Sequence, residues 1–256
     1  MQAPFFIDGV ASWHGSAGRP APPSMAPNER RRASEAVLVF EPALPGGRLK
    51  TSRKGVGTFR LEVDGVSSHA GLAPQDGASA ITELARQIVV LDALQRLDLG
   101  TTINIGVIAG GTRGNVVAEH AAAEIDVRIA LGSEAVRVTE ALTHLRPIDP
   151  RVRMQAHGDF GRPPLERGPH VQRLFALAQS AGAREGLQVD QGSTGGASDG
   201  NFTAALGVPT LDGLGAIGDG AHARHEHVEI GSLPDRAALA AAIILAIDSA
   251  WTGASS

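Results

Sequence analysis

The sequence predicts an α/β protein in which one α/β layer is interrupted by an inserted unit of different pattern. Three observations lead to this prediction. Strand-like and helix-like segments alternate near both ends of the chain, as they do when helices cover a sheet. The middle of the chain carries half-buried strands and amphipathic helices in an order of its own. With 256 residues, 43% of them hydrophobic, the chain is long enough for two small domains.

The first part of the α/β layer begins with a buried strand. Residues 35–40 form an almost entirely apolar run that stops at Glu41 and Pro42, and a run without alternation is typical of a strand buried on both faces. A Pro-Gly-Gly turn follows. Residues 50–54 are polar and basic, and we interpret them as a hinge into the inserted unit.

The inserted unit follows the order β-α-β-β-α-β. Strands are predicted at residues 58–64, 101–108, 116–130 and 151–160, and helices at residues 77–97 and 133–145, the second capped by Ser133. This order is that of the split ferredoxin-like unit, which takes about 100 residues. We therefore expect residues 55–162 to form a separate domain.

The remaining residues return to the α/β layer. The predicted elements are helices at residues 170–185, 201–206 and 235–251, a strand at 208–211, and a glycine-rich loop at 192–200. Residues 28–54 and 163–256 are thus expected to form one discontinuous α/β domain. Residues 1–27, rich in Gly and Pro from residue 15 onward, are expected to be a disordered or non-homologous tail.

Charge and composition limit the partners and the metal chemistry. The net charge of -4 gives no strong field that would attract nucleic acid. We find no apolar stretch that approaches the roughly 20 residues of a membrane span. The expected partners therefore include neither nucleic acid nor a membrane, and the expected location is cytoplasmic. Because the chain has no cysteine, a metal ion would need histidine and carboxylate ligands.

Two segments offer ligands of the kind that zinc uses. Glu41 ends the buried strand, and a glycine-flanked loop carries His222, His225 and His227. Carboxylate oxygen and neutral imidazole both coordinate zinc. From these residues alone, Glu41 could equally cap a neighbouring helix and the loop could be an ordinary polar surface loop. Within the loop, His222 is no better a candidate than the other two histidines.

Other motifs offer groups for binding a substrate. His69, on a Ser-Ser-His-Ala-Gly turn, could donate a hydrogen bond to a developing oxyanion or simply be an exposed turn residue. Gly195 and Gly196 precede a short helix, where backbone N–H groups suit a carboxylate or phosphate or merely cap the turn. Asn115 and Arg128 are candidate carboxylate binders, since a guanidinium grips a carboxylate in bidentate fashion.

Taken in order, these motifs resemble those of one family. They are Val-Leu-Val-Phe-Glu-Pro ending at Pro42, Lys-Gly-Val-Gly from Lys54, Ser-His-Ala-Gly around His69, Gly-Gly-Thr-Arg-Gly-Asn-Val-Val around Asn115, Asp-Val-Arg ending at Arg128, Gly-Arg-Pro around Arg162, Gly-Gly-Ala-Ser-Asp-Gly from Gly195, and Gly-Ala-His ending at His222. From about residue 28 to its end, the chain resembles the zinc aminoacylase and glutamate carboxypeptidase family. Relatives of acetylornithine deacetylase and succinyl-diaminopimelate desuccinylase belong to that family.

The resemblance implies a fold, a cofactor and a reaction. The fold would be a zinc-binding α/β domain interrupted by a ferredoxin-like lid that also forms the contact of a homodimer. The reaction would be hydrolysis of an amide or peptide bond next to an amino acid with a free carboxylate, in a small acyl- or peptidyl-amino-acid substrate. Glu41 and His222 would be metal ligands, in a centre that holds two zinc ions in complete family members.

The resemblance also implies roles for the remaining motif residues. His69 would reach the site of the partner subunit and stabilise the tetrahedral oxyanion. The substrate, through its free carboxylate, would be held by three residues, Asn115, Arg128 and Arg162. The turn at Gly195 and Gly196 would line the pocket.

The chain departs from the family pattern before Glu41. Family members carry a His-x-Asp motif, a bridging Asp and a Glu-Glu pair there, and the first Glu of the pair is the general base. Here only Asp8, His14, Glu29 and Glu35 are candidates, and they lie in no matching motif. We therefore expect at most a partial zinc site, in a chain that is truncated at its start or completed by another polypeptide. Smaller departures are Ala118, Ala197 and Arg224.

Two functions follow from this pattern. The first is a metallopeptidase or amidohydrolase of the glutamate carboxypeptidase type, incomplete in this chain. The second is a non-catalytic dimerisation or carboxylate-binding module derived from the same family, because the inserted unit needs nothing upstream in order to fold.

Overall fold

A computed structural model describes residues 5–7, 11–12, 36–221 and 223–252, with side chains described for 36–221 and 223–247. The chain divides into two compact units. Unit 1 comprises Met1–Lys54 and Pro164–Ser256, and unit 2 comprises Gly55–Pro163. Within the predicted tail, residues 5–7 and 11–12 are two short strands, and the rest of the tail lies outside the described residues.

Strands and helices occur in both units. In chain order they are β1 (Phe5–Ile7), β2 (Ala11–Ser12), β3 (Ala36–Leu38), β4 (Leu49–Arg53), β5 (Gly55–Asp64), α1 (Ala80–Asp92), β6 (Thr102–Gly110), β7 (His120–Ile129), α2 (Gly132–Thr143), β8 (Arg153–Arg162), α3 (Pro169–Arg184), β9 (Gln191–Thr194), α4 (Gly200–Ala205), β10 (Thr210–Leu211), β11 (Gly218–Asp219), β12 (His227–Val228) and α5 (Leu233–Thr252). The predicted mixed α/β class is confirmed.

Unit 1 is built from short strands and helices from both of its chain segments. β3 pairs in parallel with β10 and antiparallel with β1, which continues to β2. β4 and β9 form a separate parallel pair, and β11 and β12 form an antiparallel pair. Its main core contains the buried residues Ala36, Leu38, Leu49, Leu174, Phe175, Ala178, Ala181, Val189, Leu211, Leu214, Leu239, Ile243 and Ile247.

Most of the segment predicted as a hinge, residues 50–54, is the buried strand β4, and the boundary between the two units follows directly at Lys54. The polar side chains of β4 are buried through pairing. The Thr51 hydroxyl donates to Oε1 of Gln191 at 2.8 Å, and the Arg53 guanidinium pairs with Asp212. Its partner strand β9 likewise occupies the start of the predicted glycine-rich loop. Hydropathy alone does not recognise a strand whose burial depends on partners far along the chain.

The last helix, α5, is long and apolar. Residues 230–247, which overlap it, are apolar and long enough to cross a membrane, contrary to the expectation from the sequence, and 28% of this segment is buried. The core helix of a soluble protein passes the same test. Here Leu239, Ile243 and Ile247 lie in the unit 1 core, whereas Leu245 is 71% exposed, so the helix is only partly buried.

Unit 2 is a four-stranded antiparallel sheet in the order β6-β7-β5-β8, with two helices, α1 and α2, packed on it. Along β5 the side chains alternate between buried and more exposed, as expected for a sheet covered on one face. The covered face forms a core of the buried residues Phe59, Leu61, Val63, Ala78, Ala80, Leu84, Leu91, Ile103, Ala121, Ala123, Ile125, Val127, Ile129, Val138, Leu142 and Val152.

The two helices of unit 2 start in different ways. α1 begins after Ser79, whose hydroxyl accepts a hydrogen bond from the N–H of Thr82 at 3.2 Å. The predicted cap of α2 at Ser133 is wrong, since the cap residue is Leu131 and makes no side-chain cap bond. The first turn of α2 is instead tied by the carboxylate of Glu134 to Thr101, the residue before β6.

Candidate functional site

The His69 side chain is held on its turn by backbone N–H groups. Its Nδ1 accepts from the N–H of Gly71 at 3.2 Å and of Leu72 at 3.1 Å. An imidazole nitrogen that accepts cannot carry the proton, so the ring proton of His69 is assigned to Nε2. The exposed ring therefore offers Nε2 as a hydrogen-bond donor.

The structure brings the His69 turn together with the Asn115 loop. The N–H of Ala70 donates to the Asn115 carbonyl at 3.0 Å, and His69 and Val116 form an antiparallel bridge. Two motifs that lie more than forty residues apart in the sequence thus become one backbone-linked edge of unit 2. Next to His69, Ser68 Oγ is a buried side-chain atom without a hydrogen-bond partner in the described part of the chain.

Arg128 and Arg162 lie in one row across the sheet of unit 2. Both are the register partners of Val56, on opposite sides of β5. Register partners project from the same face, and two strand spacings put their Cα atoms about 10 Å apart. The sheet thus presents two guanidinium groups on its uncovered face.

Arg128 already holds a carboxylate. Its Nε and one Nη donate to the two oxygens of Asp126 at 2.7 and 2.9 Å, and both side chains are partly exposed. A guanidinium has five N–H donors, so this pair leaves others for a further partner. Asp126 and Arg128 are two residues apart, so both side chains lie on one face of β7. This spacing is visible in the sequence and could have identified Asp126 as the partner of Arg128.

In unit 1, β3 ends at Leu38 and is shorter than the strand predicted at residues 35–40, so Glu41 lies three residues after its end, with a half-buried side chain. Its carbonyl accepts from the N–H of Gly215 at 2.9 Å. Burial, and next the charge of Arg53, lower the pKa of Lys50, and the carboxylate of Glu41 opposes them with a smaller effect. His222, the other predicted ligand, lies outside the described residues, so the pairing of Glu41 with His222 stays a prediction.

The donor set of the described residues does not form a metal centre. No group of three or more His, Asp or Glu side chains within 36–221 and 223–247 is arranged to hold an ion. His225 and Glu226 lie on the β11–β12 connection, His227 begins β12, and all three are exposed. Nδ1 of His227 lies 3.1 Å from the carbonyl of His225. The described residues therefore offer no complete set of zinc ligands.

The turn at Gly195 and Gly196 is exposed and is held by groups that sequence reasoning missed. Arg53 of β4 donates to the carbonyl of Gly196 at 3.0 Å and to the carboxylate of Asp212. Asp212 follows the short strand β10, as Glu41 follows β3. The position of Asp212 directly after a predicted strand could have identified it as a candidate site residue. Its complete burial, however, is not visible in the sequence.

A second buried guanidinium holds the loop after Asp212. Arg236 of α5 donates to the carbonyls of Gly47 and Gly215 at 2.9 Å each, and to that of Gly213. Burial lowers the pKa of Arg236. These bonds fix the start of the segment that leads to His222.

Comparison with known proteins places these motifs in a family. Residues 51–146 match a peptidase dimerisation domain. The chain is 26% identical over 226 residues to carboxypeptidase G2 of Pseudomonas sp. (strain RS-16), covering 85% of this chain and 54% of that protein. It is 31% identical over 188 residues to the uncharacterised protein YqjE of Bacillus subtilis, covering 72% of this chain and 50% of that protein.

A solved structure agrees with these sequence matches. The aminopeptidase PepT from Bacillus cereus superposes with a TM-score of 0.70 at 25% identity, over 84% of this chain and 58% of that one. The chain spans about half the length of the curated relatives named above. These matches support the family that the sequence motifs indicate, that of the zinc aminoacylases and glutamate carboxypeptidases.

Proposed function

We propose that the protein takes part in hydrolysis of an amide or peptide bond next to an amino acid that has a free carboxylate. The observation that carries the proposal is the His69 turn, which holds a donor nitrogen at an edge shared with the Asn115 loop. Carboxypeptidase G2 and the aminopeptidase PepT, by their names, are peptidases, and this chain is similar to both.

Each group of unit 2 has a distinct role in this proposal. Nε2–H of His69 donates to the oxyanion that develops on the scissile carbonyl, where a fixed donor is most effective. Asn115, Arg128 and Arg162 hold the substrate, and the two guanidiniums take its carboxylate in charge-assisted hydrogen bonds. Gly195 and Gly196 of unit 1 line the pocket.

The proposal assigns a metal-binding role to two residues only. Glu41 and His222 would hold zinc, and the described residues contain no group of three or more candidate ligands. When bound, zinc supplies Lewis-acid chemistry and lowers the pKa of a bound water. No role of the residues named above depends on which metal is used.

The organisation of the proposed enzyme follows the family. Residues 55–162 serve as the ferredoxin-like lid and dimerisation domain, and residues 28–54 with 163–256 serve as the metal-binding α/β domain. The match of residues 51–146 to a peptidase dimerisation domain supports a homodimer. In that dimer His69 acts in the site of the partner subunit.

His69→Ala tests the proposal. In an assay of hydrolysis of N-acylated amino acids with zinc present, the variant should lose about 100-fold or more in kcat, since it lacks an oxyanion donor. The dimer should persist in sizing chromatography. His144→Ala, another exposed histidine of unit 2, is the matched control and should keep full activity. Calorimetric titration that gives no zinc binding tighter than about micromolar would count against the proposal.

A second candidate is a non-catalytic dimerisation or carboxylate-binding module. The absence of a three-ligand group among the described residues favours it, as does the separate core of unit 2. This candidate predicts dimers without hydrolysis for the unmodified chain. A strictly monomeric chain in sizing chromatography would remove its main support.

A further inference from the structure

Asp212 is the centre of a buried polar network in unit 1. Its side chain is fully buried. Oδ2 accepts from Arg53 Nε at 2.7 Å and from the hydroxyl of Ser198 at 2.5 Å. Oδ1 accepts from Arg53 Nη2 at 2.9 Å and from the N–H of Gly213 at 2.5 Å. Both oxygens are therefore fully satisfied, and the carboxylate has one fixed orientation.

Two arms of this network reach the glycine turn. Arg53, itself 4% exposed, extends its second Nη to the carbonyl of Gly196 at 3.0 Å. Ser198 Oγ, which donates to the carboxylate, accepts from the N–H of Gly200 at 3.2 Å, and the N–H of Ser198 donates to Oδ1 of Asn201 at 2.9 Å. The turn is thus fixed at its middle and at its end.

The outer side of the turn is exposed backbone, in which the N–H of Gly196 donates to the hydroxyl oxygen of Thr194 at 3.4 Å. Gly195 and Gly196 are exposed, and a Cβ added at either would meet no atom within 4 Å. Neither has a φ in the left-handed region, so local conformation and packing do not require glycine there. By contrast, Gly213 has a φ of +77° and lies against the stem of Lys50, with the added Cβ 3.2 Å from Cγ.

The network fixes the geometry of the turn as well as satisfying buried donors. Desolvating a buried ion pair costs about as much as the pair returns, and apolar residues of similar volume often replace such a pair without loss of stability. Apolar residues cannot replace the planar guanidinium of Arg53, whose N–H groups donate in fixed directions. Two of these groups donate to Asp212, and a third donates to the Gly196 carbonyl.

We propose that Arg53 and Asp212 are positioning residues. They hold the Gly195–Gly196 turn in a conformation in which its exposed backbone can contact a carboxylate ligand. They touch no ligand themselves and act only through the turn. The identity of the ligand rests on the proposed function, whereas the positioning of the turn does not.

The test compares three variants in the full chain. Arg53→Met with Asp212→Leu removes both charges together, Ser198→Ala removes one arm and keeps the ion pair, and Arg236→Met disturbs a buried arginine that does not bond to the turn. Stability is followed by thermal unfolding. The turn is followed by hydrogen exchange of the amides of residues 195–200, and ligand contact by NMR titration of the Gly195 and Gly196 amides with N-acetyl-L-glutamate.

The expected result separates the turn from overall stability. The double variant leaves the Ser198 hydroxyl and the Gly213 N–H without their acceptor, so it should unfold at a lower temperature than the unmodified protein. Below its unfolding transition, it should exchange the turn amides about tenfold faster, without the same increase in helix α3, and bind N-acetyl-L-glutamate about tenfold more weakly. Ser198→Ala should give a smaller change of the same sign and provides the test if the double variant fails to fold. Arg236→Met should leave exchange at residues 195–200 unchanged.

Opposite outcomes overturn the proposal. A folded double variant, or Ser198→Ala alone if the double variant does not fold, with unchanged exchange in the turn would show that the network serves only stability. Failure of the proposed function looks different. The unmodified protein would then show slow exchange in the turn, and the variants fast exchange, without any hydrolysis of N-acylated amino acids.

Discussion

The imidazole of His69 is exposed, yet the turn that follows it fixes which nitrogen carries the proton. Two backbone N–H groups point at Nδ1, so only Nε2 is available as a donor. His144 provides the opposite case in the same unit. Its Nδ1 lies 2.7 Å from the carbonyl oxygen of Glu140, an arrangement that requires Nδ1 to donate. The local backbone thus decides the tautomer of each ring.

Nitrogen NMR of the imidazole rings checks this difference without any activity assay. At a pH where both rings are neutral, His69 should show an unprotonated Nδ1 and a protonated Nε2, and His144 should show the reverse. His144 is the internal control, since both rings are exposed and lie in unit 2. A protonated Nδ1 in His69 would contradict its role as an Nε2 donor.

Site residues could be predicted from the sequence only where a motif fixes their local backbone. The motifs located His69, Asn115 and Arg128, and their proposed roles stay predictions. The sequence did not identify Arg53 and Asp212 as site residues, because their role depends on a contact between residues 159 positions apart in the chain. The spacing of residues within a short motif cannot predict such a contact.

At the scale of elements, the sequence predicts helices better than polar strands. The two helices of unit 2 lie within the predicted ranges or one residue outside them, because an apolar face repeats along each helix. β4 and β9 were missed because their polar side chains are covered by partners from elsewhere in unit 1. The cap of α2 was misplaced for a related reason, since Glu134 reaches across to another element.

The carboxylate of Glu134 ties α2 to the residue before β6. It accepts from the Thr101 hydroxyl at 2.6 Å and pairs with Arg137 at 2.6 Å. Hydrogen bonds from Arg137, and next from Thr101, outweigh desolvation and lower the pKa of Glu134 from 4.5 to about 2. A carboxyl whose pKa is lowered on folding stabilises the fold above its unfolded pKa, and this contribution disappears as pH falls through the folded pKa.

Glu134→Gln should therefore lower the free energy of unfolding at neutral pH by on the order of 3 kcal/mol. The difference from the unmodified protein should shrink as pH falls from 4.5 toward about 2. Urea unfolding at a series of pH values measures it. Glu140→Gln, an exposed glutamate on the same helix, is the control and should have little effect. A difference that does not change with pH would show that the ionised carboxylate is not the stabilising group.

At the scale of the whole molecule, the two units have separate cores. The main core of unit 1 is built from both segments of the chain that flank unit 2, whereas the core of unit 2 comes from one continuous segment. The two clusters share no residue. Since hydrophobic burial is the main favourable term in folding, each unit should carry its own stability.

Matched core substitutions test this independence. Leu61 in unit 2 and Leu174 in unit 1 are both fully buried, so changing either to Ala should remove about 2–5 kcal/mol from its own unit. Hydrogen exchange with mass spectrometry, followed by peptides of each unit in increasing urea, resolves the two contributions. Each substitution should leave the other unit within about 0.5 kcal/mol, and the control Leu72→Ala, at 81% exposure, should change neither. If Leu61→Ala accelerated exchange equally in both units, the chain would unfold as one cooperative body, and the separate cores would not mark separate folding units.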